Sequence, residues 1–164
     1  MAMQKVEVDG LALDMLTQSP VVILSLSGTK KVLPIWIGQA EAMVIAMALS
    51  KISAVRPLTH DLLKSILKAL SASVEKVEIT ELKEQTFYAR VFLKSNGDAY
   101  DFDARPSDSI ALALKSGAPI FAEDSLFNLQ APPPGDTEDA PTDTESLKDR
   151  LKRINPEDFG KYQL

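Results

Sequence analysis

Hydrophobic and polar positions along the first 130 residues fall into segments whose period switches at well-marked places. Lys5-Val6-Glu7-Val8 alternates as a strand does and breaks at Asp9-Gly10, and a second, weaker run covers Leu11 to Asp14. Pro20 opens the β-branched run Val21 to Leu26, and Ser27-Gly28-Thr29-Lys30 turns it back into Val32 to Ile37. Pro34 removes an amide donor from that strand, which predicts a sheet edge or a bulge. From Gln39 to Ile52 only Gln39, Glu41, Ser50 and Lys51 are polar, which predicts a helix buried on more than one side, by a sheet and by either a second helix or a partner subunit. Thr59 is a good N-cap for a second helix. Its stripe of Leu62, Leu63, Ile66, Leu67 and Leu70, with Lys64, Ser65 and Lys68 off it, reads as an ordinary amphipathic surface helix. Val74 to Leu82 and Thr86 to Lys94 read as strands. Asn96-Gly97 is the strongest hairpin signal in the chain, and Asp98 to Ala104 returns antiparallel. A two-residue loop pairs Ser95 with Asp98 and sets Arg90 opposite Asp103. Pro106 suits the first turn of a third helix through Lys115, which Gly117 caps and Pro119 stops, before a last short strand, Ala118 to Ala122.

These elements predict an α+β domain over residues 1–130: a mixed, largely antiparallel sheet with about three packed helices. Residues 131–146 hold four prolines, five acidic residues and no basic one, the composition of a solvated linker. Residues 147–164 read as a short helical tail. The 164-residue chain has no cysteine, which excludes disulfides and thiolate chemistry and suits a reducing, cytoplasmic compartment. Lys5, Glu7 and Asp9 argue against a signal peptide at the start, and the longest apolar run, Ala42 to Leu49, is far short of the ~20 residues of a membrane span. Residues 1–130 carry 15 acidic and 13 basic side chains, so no broad basic face is expected to hold duplex nucleic acid, and any such role must rest on a local site.

No GxGxxG, Walker loop, GxSxG or HExxH is present, and a single histidine, His60, without cysteine argues against a usual zinc site. One pattern does repeat. Arg56-Pro57-Leu58-Thr59-His60-Asp61 and Arg105-Pro106-Ser107-Asp108 each place Arg-Pro, a hydroxyl residue and an aspartate at the start of an apolar helix. Helix starts attract anions through unpaired N–H groups, and an arginine adds a forked phosphate partner. If the two starts converge, Arg56, Arg105, Thr59 and Ser107 bind a phosphodiester, His60 serves as general acid or base, and Asp61, Asp103 and Asp108 surround a magnesium or manganese ion. No organic cofactor is indicated. Plainer accounts stand beside this one. The hydroxyls and aspartates are what helix caps prefer, Glu41 fits a capping box three residues after Gly38, Asp103 suits a cross-strand pair with Arg90, and Trp36 reads as core.

Leu33-Pro34-Ile35-Trp36-Ile37-Gly38 with Glu41-Ala42, then Arg56 to Leu63, then Asp103-Ala104-Arg105-Pro106-Ser107-Asp108 with Ile110 to Ala113, and finally Gly117 to Phe121, resemble the bifunctional nuclease family. The likeness covers Val6 to Phe127, with Ser109 departing from the expected alanine. It implies a compact α+β domain, often dimeric, with nuclease activity on DNA and RNA. No catalytic set comes with it, so the site residues rest on the physical argument. A homodimer burying part of the Gln39–Ile52 helix is expected. The alternative is a non-catalytic oligomeric regulatory or anion-binding module.

Overall fold

The structure is a computed structural model that describes residues 2–128, so the expected linker and tail helix lie outside the described residues. In chain order the elements are β1 (Met3–Leu13), β2 (Pro20–Leu26), β3 (Val32–Trp36), α1 (Gln39–Leu49), α2 (Thr59–Ala69), β4 (Ala72–Lys83), β5 (Thr86–Ser95), β6 (Asp98–Ala104), α3 (Pro106–Ser116), β7 (Ile120–Glu123) and a 3-10 turn at Asp124–Phe127. The strands form one seven-stranded sheet in the order β3-β2-β1-β7-β4-β5-β6. Only β4 and β7 run parallel, which makes the sheet mixed and largely antiparallel.

All three helices share the core on one face. α1 lies over β1 and β2, α3 over β4 and β5, and the two helices pack on each other. Val22, Leu24 and Ile35 from the sheet meet Ala42 and Ile45 of α1 and Ile110, Ala111 and Ala113 of α3. The nearly all-apolar α1 is therefore covered within its own domain, by the sheet and by a second helix. β3 is an edge strand, where Pro34 costs no ladder bond. The Asp9-Gly10 signal is a bulge rather than an end: the pairing with β2 shifts between Val8 and Gly10, and β1 continues to Leu13.

The Asn96-Gly97 turn has φ of 52° and 89° at its two residues, as a two-residue hairpin loop requires, and it sets Ser95 opposite Asp98 and Arg90 opposite Asp103. The Arg90 side chain, however, reaches diagonally: its Nε donates to Asp101 Oδ2 at 2.6 Å. On β5, Ala89, Val91 and Leu93 are buried toward the helices. Arg90 and its partner Asp103 therefore lie on the helix-free face.

α2 is the departure from the expected pattern. Leu62, Leu63, Ile66 and Leu70 are 54, 41, 46 and 66% exposed, and only Leu67 of the stripe turns to the core. The reason is polar. His60 bonds Asp108, Asp61 pairs with Lys115, and Lys64 Nζ donates to the Lys115 carbonyl at 2.6 Å. The face that carries His60, Lys64 and Leu67 is thereby held against α3, and the leucine-rich face turns outward. The sheet also coils strongly. The Trp36 end of β3 and the β4–β5 turn at Gln85, far apart in strand order, line one cavity. No helix among the described residues is long and apolar enough to cross a membrane.

Ile110 is fully buried between the sheet and α1. Ile110→Ala is expected to lower unfolding free energy by about 2–5 kcal/mol. Arg90→Ala, which breaks a half-exposed pair, is expected to cost about 1 kcal/mol or less. Urea unfolding midpoints of the two variants check both.

Candidate active site

α3 begins with Arg105 as N-cap and Pro106 in the first turn, and no side chain caps it. Asp108, three residues after the cap, is thus free for other partners. Its Oδ1 accepts from His60 Nε2 at 2.9 Å, and its Oδ2 accepts from Arg105 Nε at 2.8 Å. Capping does not account for Asp108, but it does account for Asp61. Asp61 Oδ2 accepts the Leu58 backbone N–H at 2.9 Å, so Leu58 is the N-cap of α2 and Thr59 its first helical residue. The other oxygen of Asp61 takes Lys115 Nζ at 2.6 Å.

Glu41 enters from α1. It makes no cap bond; its Oε1 instead pairs with Arg105 Nη2 at 2.9 Å. The carboxylate folds over Gly38, where a Cβ would stand 2.2 Å from Oε2. A side chain at position 38 would displace the end of the Glu41 side chain. Glu41 is therefore not the capping acid its place three residues after Gly38 suggests; the signal in the sequence for this pairing is a lone acid inside an apolar helix. The four side chains Glu41, Arg105, Asp108 and His60 form one chain of contacts joining the first turns of all three helices.

Glu41, Thr59, His60, Arg105 and Asp108 line a cavity of about 310 Å³, with Met43 and Val44 on its apolar side. His60 is 8% exposed. Its Nε2–H is committed to Asp108, and its Nδ1 is buried with no partner, the one buried side-chain nitrogen so left among the described residues. Burial pushes the Asp108 carboxyl up, but the hydrogen bonds from Arg105 and His60 outweigh it and hold the group below the usual carboxylate value. Asp61 is also held low, first by the Lys115 hydrogen bond and then by the Leu58 N–H.

The structure brings His60, Thr59, Arg105 and Asp108 to one cavity. It does not bring the other candidates there. Arg56 is exposed and makes no hydrogen bond or ion pair among the described residues. Ser107 lines a neighbouring cavity on the other side of Arg105. Asp61 faces Lys115. Asp103, on the helix-free face, cannot join Asp61 and Asp108 around a cation. No group of three potential metal ligands exists among the described residues. The structure does not gather Asp61, Asp103 and Asp108 in one place, because the β5–β6 register turns Asp103 away and Lys115 holds Asp61.

The low carboxyl of Asp61 sets the sign of a pH effect. A group depressed in the folded state contributes stability above its unfolded value, and that contribution is lost as pH falls through the folded value. The stability difference between wild type and Asp61→Asn is expected to be full at neutral pH and to shrink as pH falls below 3.8. Urea melts at neutral pH and in acid measure it.

Residues 22–133 match the bifunctional nuclease domain family. An uncharacterized protein of Mycobacterium tuberculosis is 38% identical over 165 residues, covering 96% of this chain and 98% of that one. Bifunctional nuclease 1 of Arabidopsis thaliana is 28% identical over 105 residues, 62% of this chain but 32% of the plant protein. Bifunctional nuclease 2 of Oryza sativa subsp. japonica is 27% identical over 111 residues, 65% of this chain and 34% of its own. The matched segment contains all three helix starts and the four residues that join them, and on this ground the chain belongs to the bifunctional nuclease domain family.

Proposed function

We propose that the His60 cavity is the active site of a nuclease that hydrolyses phosphodiester bonds of DNA and RNA. The observation that carries this reading is a buried histidine fixed by a carboxylate through one nitrogen while the other has no partner. A histidine oriented by a carboxylate at the wall of a cavity is placed as a general base is. In this reading Asp108 orients the imidazole and stays anionic, as its low carboxyl suits. On the same reading His60 Nδ1, the nitrogen not bonded to Asp108, takes the proton of the attacking water. Arg105 spends one donor on Asp108 and one on Glu41, and its remaining donors meet the phosphate at a guanidinium 66% exposed. A magnesium ion, if used, would arrive with the phosphate on one or two carboxylates rather than in a protein-built cage. The plant relatives named bifunctional nucleases support this class of reaction.

One observation favours the non-catalytic alternative: Arg105 is already paired with both Glu41 and Asp108, as a structural clasp would be. The two readings separate on purified protein assayed against DNA and RNA, with magnesium, with manganese and with chelator. The nuclease reading expects His60→Gln and Asp108→Asn each to lower cleavage about 10²–10⁴-fold with little change in melting temperature. If the wild type cleaves neither polymer in any of these conditions, the anion-binding module takes its place.

We further propose a homodimer, formed through α2 rather than α1. Leu62, Leu63, Ile66 and Leu70 make an exposed apolar face, and Tyr100 and Phe102, 49 and 52% exposed, stand on the edge strand β6 on the same side of the sheet. Ser95 Oγ donates to the Leu70 carbonyl, which brings the end of α2 to the β5–β6 hairpin. A monomer keeping so much apolar surface wet is unusual, and a second copy is the partner always at hand. Sedimentation is expected to give twice the chain mass for wild type and a folded monomer for Leu63→Glu/Ile66→Glu.

A further inference from the structure

Trp36 was expected in the core. It is instead 52% exposed, at the end of edge strand β3. Its ring is not loose. The indole Nε1–H donates to Asp14 Oδ2 at 2.9 Å, and Asp14 is itself fixed by accepting the Leu16 N–H at 2.9 Å. A large aromatic held in one orientation and left wet is the form that a stacking platform takes.

Its surroundings give the platform a ligand class. Trp36 lines a cavity of about 380 Å³ together with Gln85, Thr86, Phe87, Arg105 and Ser107. That volume lies within the range of small-molecule sites, about 300–1,000 Å³. The amide and hydroxyls are neutral hydrogen-bonding groups of the kind that meet base edges and sugars. Arg105 is the wall common to this cavity and to the His60 cavity. A strand whose phosphate sits at Arg105 therefore has the His60 side for the reacting bond and the Trp36 side for the neighbouring nucleotide.

We propose that Trp36 is the platform on which an unpaired base of the substrate strand stacks, one step from the phosphate at Arg105, so that the site takes single-stranded nucleic acid. This rests on the nuclease reading. A base inside a duplex is already stacked on its neighbours and reaches the indole only after being turned out of the helix, at a cost of a few kcal/mol. The near-neutral surface, with 15 acidic and 13 basic side chains in residues 1–130, gives a duplex no compensating grip.

Trp36 is the only tryptophan of the chain, so its fluorescence reports on this site alone. The probe is a fluorescein-labelled phosphorothioate oligothymidylate of about ten nucleotides, a length within the range one such groove covers. Anisotropy of the label reads binding, and an unlabelled copy reads Trp36 quenching. Expected are saturable quenching at the concentration where anisotropy rises, and binding at least about tenfold weaker for a duplex of equal length. Trp36→Ala is expected to weaken binding about 5- to 150-fold and Trp36→Phe less, both with wild-type melting temperatures. Binding without quenching, equal in wild type and Trp36→Ala, overturns the stacking proposal and leaves the Arg105 phosphate reading in place. Absence of both binding and cleavage in the wild type overturns the two together.

Discussion

The guanidinium of Arg105 takes Glu41 from α1 on one side and Asp108 from α3 on the other, and Asp108 passes the connection to His60 on α2. That tie sets the arrangement of side chains at this end of the domain. Arg105 is 66% exposed, and pairs so open to water contribute roughly 0–1 kcal/mol each. The tie therefore supplies geometry more than stability. It brings three helix starts, each with unpaired N–H groups and a positive dipole end, to one place, and the apolar core beneath supplies the stability.

The same tie explains local features that look unrelated. The Glu41 carboxylate, held by Arg105, lies over Gly38 in the space a Cβ would take. His60, bonded to Asp108, faces α3, and with the separate Asp61 and Lys64 contacts to Lys115 it leaves the leucine-rich face of α2 turned to water. Two cavities flank one arginine because Arg105, at the junction of β6 and α3, stands where the coiled sheet brings the Trp36 end of β3 toward the β4–β5 turn.

Much of the fold was legible because it is coded locally. Asn96-Gly97 determines a turn, the turn determines the register, and Arg90 lies opposite Asp103 as read. Gly117, at φ 69°, ends α3 where expected. The repeated Arg-Pro starts drew attention to the right two helices, though only Arg105 of the two arginines reaches the cavity. What was not legible depends on partners distant in sequence. Glu41 passes for a capping acid until Arg105, 64 positions later, is seen to take it. Trp36 sits in a run of buried-strand residues, and nothing local says that β3 is bordered by Asp14 and a cavity. The outward turn of Leu62, Leu63, Ile66 and Leu70 follows from polar contacts to α3 that no periodicity records.

The central claim is that His60 and Asp108 act as one unit on a phosphate held by Arg105. A double-mutant cycle in single-turnover cleavage of an RNA oligonucleotide tests it most directly. Residues that act as a unit are strongly non-additive. The account predicts that His60→Gln/Asp108→Asn cleaves no more slowly than the slower of the two single variants. Losses that multiply, with the double variant slower than either by the product of the two, would contradict it.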